Sequence, residues 1–298
     1  MFQDVVVGVD GDEGGRDAIV LAAALSRDGG QLTLAHISRD EPLSWRGWSV
    51  DKDNAERARA RDLLRKAADE AGIEARFRVH YAAGVGRGLH EVAEARGADL
   101  LVIGSTRRGL LGRVLTTDDT RAALNGAPCA VAIAPAGYHH QPAAMREIGV
   151  GYDGSLESKH ALGVARTLAT ERHSRLSAFE AVSFPSYLFT APVPADDTTF
   201  QELVDAARER VASIDGVEPH AAYGDAAEEL ALYSASLDLL VIGSRSYGPM
   251  GRLVHGSTAQ ELARMARCPL LVLTRAARTA DAYRMSLDEH DTTAVSAR

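Results

Sequence analysis

Leu239-Leu240-Val241-Ile242-Gly243-Ser244 and, further on, Gly256-Ser257-Thr258 form the stretch whose reading decides the fold. Four apolar residues ending at a glycine predict a short strand buried on both faces, with a sharp turn at Gly243. Gly256 precedes two hydroxyl residues and the apolar positions Leu262, Met265 and Ala266, the pattern of a helix start with a hydroxyl cap. A helix start with free amides favours an anion. Taken singly, Gly243 also reads as an ordinary strand-end turn and Ser257 as an ordinary N-cap. Strand, glycine turn and helix start in this order together point to a ligand.

The rest of the chain repeats this arrangement. Val5-Val6-Val7-Gly8-Val9-Asp10-Gly11 returns as Ile148-Gly149-Val150-Gly151-Tyr152-Asp153-Gly154, Leu100–Ser105 returns as Leu239–Ser244, and Cys129 returns as Cys268. The copies lie about 140 residues apart, too long a period for a solenoid unit, so the sequence holds a duplicated domain. A chain of 298 residues suits two domains, each large enough to bury its own core. In the first copy, strands are predicted over residues 4–9, 31–37, 75–80, 99–103 and 130–133. Helices are predicted over 14–26, 54–71 and 87–96 and after Thr117. The second copy repeats the order, with strands over 148–152, 176–182, 217–222, 237–242 and 270–273. Alternating strands and helices predict the α/β class, as two copies of a five-stranded parallel doubly wound, Rossmann-like sheet of order 3-2-1-4-5. The expected domains are 1–136 and 145–276, joined by a linker of turn composition over 135–146 and followed by a mobile tail, 277–298.

Composition narrows the partners. The net charge is −8, from 33 basic and 41 acidic residues, which argues against nucleic acid or an anionic membrane as the main partner. No apolar run approaches membrane-spanning length, and the first residues lead into a strand with no basic-then-apolar signal pattern. Cys129 and Cys268 stand at equivalent places, each before a terminal strand, so a mutual disulfide is not expected. A reduced, cytoplasmic location is the expectation.

In a sheet of order 3-2-1-4-5 the crossovers from strands 1 and 4 leave in opposite directions and open a crevice at their carboxyl ends. Asp153-Gly154-Ser155 ends strand 1 of the second copy and Gly243-Ser244 ends its strand 4, so the two motifs meet there. Asp153 reads either as an N-cap or Asx-turn residue or as a contact to a base or ribose.

At these residues the chain resembles the universal stress protein family, whose nucleotide-binding members carry Gly-x2-Gly-x9-Gly-Ser/Thr after the fourth strand. Here Gly243, Ser246 in place of the second glycine, and Gly256-Ser257 stand in that pattern. Ser246 keeps an amide and adds a hydroxyl where the family has glycine, which bears on the turn geometry. The resemblance covers both copies, to about residue 275. It implies that Asp153 and Ala181 face an adenine or ribose and that Ile242 and Gly243 line the ribose side. Gly154, Ser155 and Ser244 complete the crevice, while Arg245, Ser246, Gly256, Ser257 and Thr258 hold phosphates. The implied ligand is ATP, or AMP or ADP, with Mg as an accompanying ion. The first copy keeps Asp10 and Gly104 but has Arg107 at the second glycine and Thr117-Asp118 where Gly-Ser is expected. A carboxylate there opposes a polyphosphate, although Arg107, Arg108 and Arg113 attract a smaller anion.

The resemblance therefore implies a stress-response module that senses adenine nucleotide mainly through its second domain. No catalytic residue is expected and no enzyme activity beyond slow ATP hydrolysis, since the site lacks a Walker lysine and a base. The alternative is a nucleotide-free scaffold assembling through its terminal edge strands and through the aromatic loops at Trp45 and Trp48 and at Phe184–Phe189. Strand 5 of each copy is left as an edge, and the resemblance implies that strands 130–133 and 270–273 pair antiparallel within one chain as a pseudo-dimer, with a homodimer as the alternative. Gly84–Gly88 reads as a turn before the third helix, His139 and His140 as solvated linker residues, and no motif for a metal or a hydrolase triad is present.

Overall fold

Valine- and leucine-rich runs bury on both faces only at the centre of a sheet covered by helices. A computed structural model describes residues 1–39, 50–105, 118–182, 197–244 and 257–274. The first half runs β1 (Phe2–Gly8), α1 (Glu13–Leu25), β2 (Ser26–Arg39), α2 (Val50–Ala71), β3 (Arg76–Ala82), α3 (Val85–Arg96), β4 (Leu100–Gly104), α4 (Asp118–Leu124) and β5 (Ala130–Ala134). The second half runs β6 (Glu147–Gly151), α5 (Leu156–Arg172), β7 (Arg175–Val182), α6 (Asp197–Ala212), β8 (Glu218–Tyr223), α7 (Ala226–Tyr233), β9 (Leu239–Gly243), α8 (Ser257–Met265) and β10 (Leu270–Leu273).

The strands form one ten-stranded sheet of order β3-β2-β1-β4-β5-β10-β9-β6-β7-β8. Each half is the doubly wound five-stranded unit that the sequence predicts, parallel throughout. The halves join where β5 and β10 pair antiparallel, with Leu270 opposite Ile133, Leu271 opposite Ala132 and Val272 opposite Val131. The expected intrachain pairing is thus present. Ala130, Ala132 and Ala134 turn to the same side of the sheet as Leu271 and Leu273, so small residues of one strand meet large residues of the other. Val131, Ile133, Leu270 and Val272 face the opposite side. Thr274 Oγ1 adds a hydrogen bond to the Cys129 carbonyl at 2.9 Å.

Both apolar layers run across this seam. One holds Ile19 and Leu21 of α1, Leu64 of α2, Leu162 and Leu168 of α5 and Val211 of α6, against β1, β4, β6 and β9. The other holds Leu89 and Val92 of α3, Leu230 of α7 and Leu262 of α8. A buried leucine contributes about 1.5–3 kcal/mol, so two layers continuous across the seam hold the halves against each other. Strand starts are fixed alike in both copies. The Asp99 carboxylate accepts from the amides of Gln3 and Asp4 at 2.8 and 3.1 Å, and Asp238 accepts from Arg146 and Glu147 at 2.6 and 3.3 Å.

Three expectations change. β2 starts at Ser26 and not near residue 31, because an extended segment continues pairing beside Phe2. The stretch Gly84–Gly88 is mostly helix: Gly84 is the N-cap of α3, and Gly86 and Gly88 lie inside it. His139 is not a solvated linker residue. Asp17 of α1 is 1% exposed, and a buried carboxylate needs donors. The linker supplies them: the Gly137 and His139 amides both donate at 2.8 Å and His139 Nδ1 donates at 2.6 Å. Tyr138 and Met145 are buried beside them, whereas His140 stays exposed.

Candidate functional site

The second crevice is built from turn chemistry at the ends of β6 and β9. Beyond β6, the Tyr152 amide donates to Phe179 at 2.9 Å, and beyond β9 the Ser244 amide donates to Leu273 at 2.9 Å, so both strands are held past their last ladder residue. Asp153 Oδ1 then accepts from the Ser155 amide at 3.0 Å, closing an Asx-turn through Gly154. Gly154 has φ +76°, in the left-handed region that favours glycine. Ser155 caps α5, its hydroxyl oxygen accepting from the Ser158 amide at 3.2 Å. The first copy repeats the turn, with Asp10 Oδ1 accepting from Asp12 at 3.0 Å and Gly11 at φ +96°. Of the two readings open for Asp153, the geometry contains the turn. Its exposed position at the crevice is compatible with a ligand contact as well.

Gly243 and Gly104 have a steric role. A Cβ on Gly243 would lie 2.5 Å from the Glu157 carbonyl oxygen, and one on Gly104 would lie 1.8 Å from the Gly14 carbonyl oxygen. Any side chain here would push away the first turn of α5 or α1. The glycine ending strand 4 thus lets the first helix of each copy close against the sheet.

The strand order brings Ile242, Gly243 and Ser244 after β9, Asp153, Gly154 and Ser155 after β6, and Ala181 near the end of β7 to one edge of the sheet. Ile242 is buried and Ala181 half-buried. Ser257 is the first residue of α8 and Thr258 lies in its first turn, half-buried. Arg245, Ser246 and Gly256 lie outside the described residues, as do Arg107, Thr117, the Trp45 and Trp48 loop, and Phe184–Phe189.

At the first crevice lies a cavity of about 170 Å³, with Val9, Asp10, Ala35, His36 and Gly104 among its walls. The sequence reading passed over His36, whose Nδ1 donates to the Val9 carbonyl at 2.9 Å. Strand register puts Glu180 at the matching place on β7, paired with Arg210. Phe179 likewise stands where Ala35 lines the first crevice. Its ring stacks on Tyr233 at 4.9 Å and 29°, and Tyr233 shares a hydrogen bond with the Ser177 hydroxyl. Burial pushes the Tyr233 hydroxyl up to about 12. Gly149, where the first copy has Val6, leaves room for that ring. Aligning the two copies residue by residue exposes this small-for-large exchange in the sequence itself.

Among the described residues, no group of three or more His, Cys, Asp or Glu side chains could hold a metal, and no helix is long and apolar enough to cross a membrane. Both cysteines are buried free thiols, and burial pushes each up to about 12. They are poor nucleophiles at neutral pH.

Fold and turns define a tandem doubly wound α/β protein with one strand-end crevice in each half. A sequence profile of the universal stress protein family matches residues 1–135 and again 145–274, and the chain belongs to that family. The universal stress protein Rv2005c of Mycobacterium tuberculosis is 26% identical over 287 residues, spanning 90% of this chain and 96% of the relative. A second from that organism, Rv2319c, is 25% identical over 275 residues, spanning 87% and 90%. Among solved structures, a universal stress protein from Archaeoglobus fulgidus superimposes with a TM-score of 0.66 at 16% identity, over 91% of this chain and 98% of its own. At that identity the likeness is one of fold.

Proposed function

We propose that this stress-response protein binds an adenine nucleotide, ATP or AMP, in the crevice of its second domain and acts as a regulatory module rather than as an enzyme. The observation that carries the reading is the convergence, at one sheet edge, of the Asp153–Ser155 turn, the Gly243-Ser244 strand end and the apolar positions Ile242 and Ala181, with α8 starting at Ser257. Ile242 and Ala181 suit the face of a base. The first amides of α8 suit phosphates, because a helix N-terminus presents unpaired N–H groups and partial positive charge. Asp153 is used in its turn, and none of the residues assigned to the site is a lysine or histidine, which supports a regulatory over a catalytic reading. ADP and Mg fit the same scheme as alternative ligand and accompanying ion, and the acidic balance supports a nucleotide over a nucleic acid.

The cavity beside Asp10 and His36 favours a second reading for the first copy, occupancy by a smaller ligand such as a nucleoside. The rival scaffold reading loses one of its means of assembly, since β5 and β10 are already paired with each other.

Calorimetric titration with ATP and AMP tests the proposal, together with acid extraction of the purified protein to recover bound nucleotide. One tight site per chain is expected. Ser257→Asp adds a negative charge near the phosphates. At about 5 Å and an effective dielectric near 20, that costs roughly 3 kcal/mol, about two decades in Kd. Ser257 opens the first turn of α8 and is not its N-cap, and an aspartate in a first helical turn complements the helix dipole, so the melting temperature should hold. Absence of binding heat and of recovered nucleotide would overturn the nucleotide reading, and an unchanged affinity in Ser257→Asp would move the phosphates away from α8.

A further inference from the structure

A larger cavity lies away from both crevices, at the domain seam, where β1 and β5 begin and β10 ends. It holds about 420 Å³. Protein interiors pack to a density of about 0.74 with few voids larger than a water, whereas small-molecule sites span about 300–1,000 Å³. Both halves supply its walls: Phe2, Ala98 and Cys129 from the first, Val164, Leu168 and Leu273 from the second. An occupant therefore touches both domains at once, and through α5 it touches the helix that Ser155 caps at the second crevice.

The side-chain charges in the wall are of one sign. Glu94 and Asp99 line the cavity, and among the described residues lining it there is no lysine, arginine or histidine. The Met1 ammonium, also at the wall, is turned onto Glu171 at 2.8 Å. A phosphate or carboxylate would meet two carboxylates and lose hydration without a paired cation in return.

We propose that this seam cavity is a binding site for a small, mainly apolar molecule that is neutral or carries one positive charge. The site goes beyond the nucleotide reading and stands without it. Apolar walls provide the affinity by area removed from water, and Glu94 at the exposed rim selects against anions.

Two fluorescent probes that share a ring system test it on the intact chain: neutral N-phenyl-1-naphthylamine, and the anionic anilinonaphthalene sulfonate. The neutral probe should bind one per chain, at least tenfold more tightly than the anionic one, and saturating ATP should not displace it. Val164→Phe and Ala98→Phe fill the cavity from opposite walls, and each should weaken the neutral probe at least tenfold. Glu94→Lys, a surface change, should narrow the gap between the probes. If either filling variant fails to fold, Thr167→Trp at the rim takes its place. The proposal is overturned if the neutral probe does not bind, if it binds undiminished in the filled variants, if both probes bind equally, or if ATP displaces it. Binding that emerges only on deleting residues 275–298 would also overturn it, by making the chain's own tail the occupant.

Discussion

Gly243 and Gly163 are both glycines, yet alanine should drive them in opposite directions. At Gly243 the new methyl would stand 2.5 Å from the Glu157 backbone, which cannot yield without moving the first turn of α5. A loss of about 1–3 kcal/mol is expected, since overpacking displaces backbone. Gly163 lies inside α5, outside the left-handed region, and a methyl added there would meet nothing within 4 Å. There alanine should gain about 0.4–1 kcal/mol by restricting the unfolded chain. Urea unfolding of both variants measures the pair, and equal stabilities would show that the close approach at Gly243 does not exist. Sequence alone identified Gly243 as a special position, but through its place in a ligand pattern. The steric reason depends on where Glu157 lies in space, which no local pattern carries. His139 shows the same limit: its partner Asp17 belongs to α1, far away along the chain, and nothing near either residue announces the contact.

At the level of elements, the β5–β10 seam makes its own prediction. Ala132 opposite Leu271 is a small-to-large pair, and neither strand paired with itself reproduces it. Two copies of β5 would leave a gap, and two copies of β10 would crowd leucines, at costs of about 1–3 kcal/mol or more. Separately produced halves, residues 1–136 and 145–276, should therefore combine one to one more tightly than either associates with itself. Sedimentation of each half and of the mixture tests this. A mixture that behaves as the sum of its parts would count against the seam. Most elements were readable from apolar runs and helix punctuation, whereas the antiparallel junction came from the family resemblance applied to two strands left at sheet edges. Boundaries drifted where pairing decided them, as with β2, which continues from Ser26 because Phe2 offers a partner. The aromatic wall of the second domain, Phe179 on Tyr233, joins residues of different elements and is visible only by comparing the copies.

For the whole molecule, buried neutral groups set a limit at high pH. Cys129 and Cys268 are held up to about 12 by burial, against an ordinary value near 9. Their folded-state values are raised, so their contribution is fully present below about pH 9, where both states keep the proton. As pH rises from 9 towards 12 the unfolded chain ionises first and stability falls. Each thiol should account for roughly 1 kcal/mol of that loss at pH 10. Tyr138 and Tyr233, also raised to about 12, add to the same decline at the top of the window. Melting curves taken from pH 7 to 11 should be flat at first and then fall, and the Cys129→Ala, Cys268→Ala double variant should fall less steeply. Parallel slopes for the two proteins would mean that the thiols are not the source.

Because β5 and β10 run in opposite directions, the carboxyl ends of the two half-sheets point to opposite poles of the molecule. A partner large enough to cover one crevice leaves the other bathed in solvent. The two crevices thus open away from each other, with β4, β5, β10 and β9 running from one to the other.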